Sequence, residues 1–305
     1  MKNSSSMELV TITSRERGPG QAGGKKKRNS PRVALTIAGL DPSGGAGIIA
    51  DVRTFDTVGA YPMAVACSLT YQSTKGLMGR HDLPPEIVIR QLETLLQDRK
   101  PDALKTGVLG RADTITEVAR LYRKHSLARL VVDPIAASGD GKRLLEDKGF
   151  EALIEHLLPL ATIIVPNLDE TSRICGFKVF DVNDMKAAAL LIKKMGGKAV
   201  LVTGARVEER GRPMAADVFF DGHDYKVMTS PWMEGERVHG TGCVLSAAIT
   251  ASLALGKDLD SAVTRGRNIV RTAMERAVSP GAGVPCADPW ADSRGPGREN
   301  RKGNK

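Results

Sequence analysis

The sequence predicts an α/β protein with a central, mostly parallel β-sheet and helices on both faces. Three observations predict it. Short apolar runs of strand length alternate along the chain with segments of helical period, the order from which parallel sheets are built. The composition, 41% apolar but only 4% aromatic, implies a core packed from Val, Leu, Ile and Ala. Near the end, two β-type runs flank Asp221-Gly222-His223-Asp224, a β-hairpin signal.

The elements follow in order. A strand at residues 33–38 leads through a glycine-rich loop into a helix at 46–58. Strand 63–69 and helix 85–97 come next, then strand 103–106 and helix 114–125. Strand 130–132, helix 150–158, strand 162–165 and helix 183–195 continue the alternation. Strand 199–202 precedes the hairpin of 216–220 and 225–228. The last helix is the apolar run 244–255 behind His239-Gly240-Thr241-Gly242-Cys243. No internal repeat is visible.

The chain has 305 residues, enough for one large α/β domain or two small ones. Its formal charge is +9, but much of that lies at the ends. Residues 1–30 hold seven basic and two acidic side chains, and residues 288–305 hold five and three. The remaining core is nearly neutral and has no basic patch of its own, so no nucleic-acid interface is expected there. Lys25 to Arg28 read as part of a solvated tail rather than a polyanion tag. Both ends are rich in Ser, Gly, Lys and Arg, and the expectation is a disordered tail at 1–30, a domain at 31–287 and a second disordered tail at 288–305. Cys67, Cys175, Cys243 and Cys286 lie far apart and form no CxxC pair, which argues against a metal or disulfide framework and fits a cytoplasmic location. No apolar run is long enough to cross a membrane, and the N-terminus has no hydrophobic signal core.

Three segments offer chemistry. The two glycines of His239-Gly240-Thr241-Gly242-Cys243 permit a tight turn whose N–H groups converge at a helix N-terminus, a nest for phosphate or for charge developing on a phosphoryl group. A plain glycine turn before a core helix fits equally well. Gly39 to Gly47 contains Gly45-Ala46-Gly47-Ile48-Ile49-Ala50, a G-x-G-x-x-A match, but Leu40 to Ser43 intervene after the strand, so close backbone approach to a small substrate fits better than a dinucleotide fold. Asp51 on the following helix is either a substrate-facing carboxylate or a surface one. Asn167-Leu168-Asp169-Glu170 follows a strand and supplies either magnesium ligands or a helix capping box. Asp133-Pro134 places another carboxylate at the same sheet edge.

Taken together, ALTIAGLDPSGGAGIIAD at 34–51, Gln72, Lys105-Thr106-Gly107-Val108-Leu109, Asp133-Pro134, Asn167-Leu168-Asp169-Glu170 and the HGTGC segment resemble the hydroxymethylpyrimidine/phosphomethylpyrimidine kinases of the ribokinase-like superfamily. The resemblance runs in order over residues 32–286. It implies a three-layer α/β/α sandwich, ATP and Mg²⁺, and transfer of the γ-phosphoryl group to a hydroxymethylpyrimidine and then to its monophosphate, in a cytoplasmic homodimer. It implies that Gly39, Asp51, Thr70 and Gln72 line the aminopyrimidine and that Asn167, Thr203 and Lys105 meet the nucleotide. Glu170 and Asp133 are implied as metal ligands, and Gly240, Thr241, Gly242 and Cys243 as the catalytic anion hole. In sugar kinases of the superfamily an Asp base stands where Cys243 is, so Cys243 is either the base, as a thiolate whose pKa the helix N-terminus lowers, or a side chain that only lines the pocket.

The sequence departs from the family pattern in three places. Thr203-Gly204-Ala205 stands where Lys-Gly-Gly is frequent, with Arg206 as a replacement charge. The loop from Asp133 to Gly139 is short, and Tyr71 and Ser73 flank Gln72 where Ala and Asn are frequent. A pyridoxal kinase of the same branch and a degenerate kinase acting as a vitamin-binding regulator are the alternatives. Asp51 with Gln72 favours the pyrimidine, and the intact GTGC and NLDE segments argue against the regulator.

Overall fold

The computed structural model of the chain describes residues 30–235 and 237–290. Among these residues nine strands form one sheet in the order β3-β2-β1-β4-β5-β6-β7-β8-β9. The strands are β1 (Val33–Leu40), β2 (Tyr61–Ser73), β3 (Gly76–Asp82), β4 (Ala103–Thr106), β5 (Leu130–Val132), β6 (Ile163–Ile164), β7 (Val200–Glu209), β8 (Arg212–Phe220) and β9 (Tyr225–Pro231). The six from β2 across to β7 run parallel, while β3 at one edge and β8 and β9 at the other are antiparallel. Among the described residues eight α-helices pack on the sheet: α1 (Gly47–Val58), α2 (Pro85–Asp98), α3 (Ala112–Lys124), α4 (Asp147–Ala152), α5 (Leu168–Cys175), α6 (Val182–Lys194) and, after β9, α7 (Thr241–Ala254) and α8 (Leu259–Glu275). This is the ribokinase-like arrangement the sequence implied.

Strand side chains alternate between faces, and the two faces have separate cores. Leu35 and Ile37 of β1, Leu130 and Val132 of β5, and Val200 and Val202 of β7 pack with α2, α3 and α6. Ala34, Val131 and Leu201, one residue out of step, pack with α1, α7 and α8. Every residue of α7 from Cys243 to Ala254 is buried. A helix that is apolar all round has no solvent face to offer, and α7 lies between α1, α8 and the sheet.

Two elements lacked a sequence signal. β3 carries Gly76, Gly79, Arg80 and His81 without apolar alternation, and it exists by pairing with β2 across a bulge at Tyr71/Gln72. α8 is a surface helix with only Ala262, Val263, Gly266 and Ala273 buried.

The expected tails lie outside the described residues, with two exceptions. Ser30 is described, and the boundary at 288 falls inside the fold. Asp288 is only 2% exposed, its carboxylate sits 2.7 Å from Arg53, and Arg53 lies over the Trp290 ring. A buried ion pair anchors this stretch, a constraint that composition does not reveal. No described helix is long and apolar enough to cross a membrane.

Candidate active site

The two glycine segments, almost two hundred residues apart in sequence, interlock at the C-terminal edge of the sheet. After β1 the chain turns on Asp41, whose carboxylate accepts from Ser43 N–H (2.9 Å), Ser43 hydroxyl (2.7 Å) and Ala46 N–H (3.0 Å). Gly47 then adopts φ +57°, and a Cβ there would strike the Gly39 carbonyl. Gly240 caps α7 at φ +83°, and a Cβ there would strike the Gly45 carbonyl. Only glycine tolerates either position. Gly242 differs: a Cβ built on it meets no atom within 4 Å and enters open space at the α7 N-terminus. Free N–H groups and the positive end of the helix dipole face that space.

A polar cluster stands beside this junction. Gln72 Nε2 lies 3.3 Å from Asp41 Oδ2 and 2.9 Å from His239 Nε2, and His239 Nε2 lies 3.0 Å from Asp41 Oδ2. Burial pulls the Asp41 carboxyl up, but hydrogen bonds from His239 and Ser43 outweigh it and hold it below the usual carboxylate range. Thr70 on β2 donates its hydroxyl to the Leu40 carbonyl at 3.0 Å, tying β2 to the same loop. A C-terminal strap supports His239. His239 N–H donates to Pro285 O (2.8 Å), Ala287 N–H donates to His239 O (3.0 Å), and Val284 N–H donates to Thr74 O just past Gln72 (2.9 Å).

Three residues expected in the site lie beneath it. Asp51 is 0% exposed, bonded to Lys105 Nζ at 2.7 Å and to the Thr36 hydroxyl at 2.6 Å, so it cannot meet a pyrimidine directly. Lys105 is equally buried and also donates to the Ser246 hydroxyl at 2.8 Å, so it cannot reach a nucleotide. Burial alone would lower its pKa, but the carboxylates of Asp51 and Asp133 hold it above the usual lysine range as an ammonium. Asp133 accepts from Ser246 at 2.8 Å and stands 3.7 Å from that ammonium. Its place in this ion network argues against a metal ligand, because a second cation there would repel Lys105. Residues that hold one another's charge look, in sequence, like residues that hold a ligand.

Cys243 corrects a further expectation. It is 8% exposed, and burial, reinforced by Asp51 and Asp133, pushes its thiol up to about 12. Lys105 and the Gly47 backbone oppose this without reversing it. The free protein therefore carries a neutral thiol at the α7 N-terminus.

Beside the junction a cavity of about 320 Å³ is walled by Ser138, Gly139, Asn167, Glu170 and three arginines, Arg143, Arg173 and Arg237. Asn167 and Glu170 form a capping box at α5: Asn167 Oδ1 accepts Glu170 N–H at 2.9 Å and Glu170 Oε2 accepts Asn167 N–H at 3.0 Å. Burial, with Asp133 close by, pushes the Glu170 carboxyl up to about 8. Thr203 pairs with Asn167 across the gap between β6 and β7 and donates its N–H to Pro166 O at 3.0 Å. Arg206 is not among the cavity's walls. Its guanidinium lies over the Trp232 ring and 3.4 Å from Glu234. Arg143, Arg173 and Arg237 supply the basic wall instead, and nothing in their local sequence singles them out. Among the described residues no group of three or more His, Cys, Asp or Glu side chains is arranged to hold a metal alone.

This fold and this edge of the sheet define a class, the small-molecule kinases. A Staphylococcus aureus pyridoxal kinase solved in complex with AMP-PCP superposes with a TM-score of 0.79 at 32% identity, covering 87% of this chain and 96% of that one. A Clostridium difficile phosphomethylpyrimidine kinase superposes at 0.69 with 37% identity, covering 79% and 98%. The family described as phosphomethylpyrimidine kinase matches residues 41–287. A Bacillus subtilis hydroxymethylpyrimidine/phosphomethylpyrimidine kinase is 37% identical over 250 residues, 82% of this chain and 92% of the relative. The chain belongs to the phosphomethylpyrimidine kinase family.

Proposed function

We propose that the protein transfers the γ-phosphoryl group of ATP to 4-amino-5-hydroxymethyl-2-methylpyrimidine and then to its monophosphate, a step in thiamine diphosphate biosynthesis. One observation carries the reading: the Gly39–Gly47 loop and the Gly240 turn meet where Gly242 leaves open space at the α7 N-terminus. On this reading Gln72 and Thr70 line one side of the site, where the pyrimidine binds against Gly39. On the other side Asn167, Thr203 and the arginine-walled cavity receive the triphosphate. Backbone N–H groups of Thr241, Gly242 and Cys243 stabilise the charge on the transferring group. Cys243 takes the hydroxymethyl proton. Only the thiolate can accept it, so the neutral thiol must first release its own proton to solvent, with Lys105 and the α7 N-terminus favouring the anion.

Glu170 suits Mg²⁺. A buried carboxylate pushed up to about 8 beside other carboxylates gains from a nearby cation, and magnesium keeps waters and phosphate oxygens for its other ligands. When bound, the ion would neutralise triphosphate charge. The same reading places the enzyme in the cytoplasm, consistent with four free cysteines. It also makes the enzyme a homodimer, which light scattering tests and a monomeric mass removes.

Purified protein with Mg·ATP should phosphorylate the hydroxymethylpyrimidine faster than pyridoxal at equal concentration. The close superposition on a pyridoxal kinase makes pyridoxal the proper competitor, and a clear preference for it would reassign the substrate.

A further inference from the structure

A carboxamide has one accepting and one donating end, and only the accepting end suits the exocyclic amine of an aminopyrimidine. In this fold Asp41 makes the choice. Its Oδ1 is committed to Ser43, and its Oδ2 accepts from Ala46 and faces Gln72 Nε2 at 3.3 Å. An ionised carboxylate offers only lone pairs, so it repels a carbonyl oxygen and takes the amide N–H. His239 Nε2 approaches both groups, 2.9 Å from the Gln72 nitrogen and 3.0 Å from Asp41 Oδ2. A protonated Nε2 donates to Asp41 beside the amide, and a bare Nε2 accepts the second amide N–H. With Nε2 bare, both neighbours take an amide N–H and Oε1 turns away from them; with Nε2 protonated, the Asp41 carboxylate alone orients the amide. Gln72 is half-buried, and its Oε1 has no hydrogen-bond partner among the described residues. The strap fixes the ring in turn: His239 pairs with Cys286, and a Cβ at Gly45 would lie 2.5 Å from His239 Cδ2 and 2.7 Å from Cys286 Sγ.

We propose that Asp41 and His239 are positioning residues that lock the Gln72 amide with Oε1 toward the substrate, so that the site selects rings bearing an exocyclic amine. A ring edge carrying only acceptors meets lone pairs and is rejected. This rests on the aminopyrimidine kinase reading above.

The test is a selectivity ratio, kcat/KM for the aminopyrimidine over kcat/KM for its 4-deamino analogue, at saturating ATP. One satisfied polar contact predicts a ratio of about 10 to 100 in the wild type. Gln72→Glu sets two carboxylates face to face, and KM for the aminopyrimidine should rise at least about tenfold, with kcat changing less than about threefold. Adding Asp41→Asn returns an N–H donor to the new carboxylate, and KM should recover to within about threefold of wild type. A folded double variant no better than Gln72→Glu overturns the proposal. If Asp41→Asn prevents folding, His239→Phe decides, since it keeps a ring and removes Nε2. The ratio should fall by about fivefold, and an unchanged ratio overturns the proposal. A wild type that phosphorylates other vitamins but not the pyrimidine overturns the underlying reading, and the proposal with it.

Discussion

Cys243 sits in the first turn of α7, where the helix dipole favours a thiolate, yet burial wins and its thiol stands at about 12. Iodoacetamide should therefore react slowly with it at pH 7.5, and fast labelling assigned to Cys243 would contradict the burial argument. Because the thiolate fraction grows about tenfold per pH unit below such a value, kcat should climb without a plateau to about pH 9. Cys243→Ala should flatten that profile and lower kcat by about 10²–10⁴. A wild-type profile already flat across this range would remove the thiol as proton acceptor. Glu170 gives a second test. Its folded-state pKa lies above the ordinary carboxylate value, at about 8. The folded protein thus binds this proton more tightly than the unfolded chain, and stability from this group falls as pH rises from the ordinary carboxylate range toward 8. Glu170→Gln keeps an acceptor for Asn167 N–H without the charge. At pH 8 and without metal its Tm should rise by about 2–4 °C, while KM for ATP increases. A lower Tm at pH 8 would show that the carboxylate is not under strain.

At the scale of elements, α7 is held in place by how closely α8 can approach. A Cβ at Gly266 of α8 would lie 2.8 Å from Ile249 Cγ1 and 3.3 Å from Leu245 Cδ1. Gly266→Val should cost about 1–3 kcal/mol through overpacking, seen as a lower urea midpoint with an unchanged slope. No loss of stability would mean that α8 can move away from α7 at no cost. Buried parallel strands such as β1, β5 and β7 were legible because they are continuous apolar runs. β3 and α8 were not, since one is defined by its pairing with β2 and the other shows the core only four buried residues. The strap around Cys286 escaped notice for a similar reason: its hydrogen bonds run to His239, Val278 and Thr74 rather than along a period.

At the scale of the whole molecule, the site exists because the sheet brings Gly39–Gly47, Gln72, Asn167–Glu170 and Gly240–Cys243 to one edge. The glycines were legible because backbone approach needs them. The Asp41-Pro42-Ser43 pattern also carried a signal, an Asp accepting from the residue two positions on. Asp51, Lys105 and Asp133 were assigned to ligands because a charged residue looks the same in sequence whether it faces a ligand or a buried partner. On the proposed reading, phosphoryl transfer occurs in the open space at the α7 N-terminus. Gly242→Val tests it most directly, since its side chain meets no protein atom within 4 Å at Cβ and fills only that space. The measurement is kcat for pyrimidine phosphorylation, beside a thermal melt of the same preparation. kcat should fall at least about 10²-fold with Tm nearly unchanged, and near-wild-type turnover in the folded variant would place the transfer elsewhere.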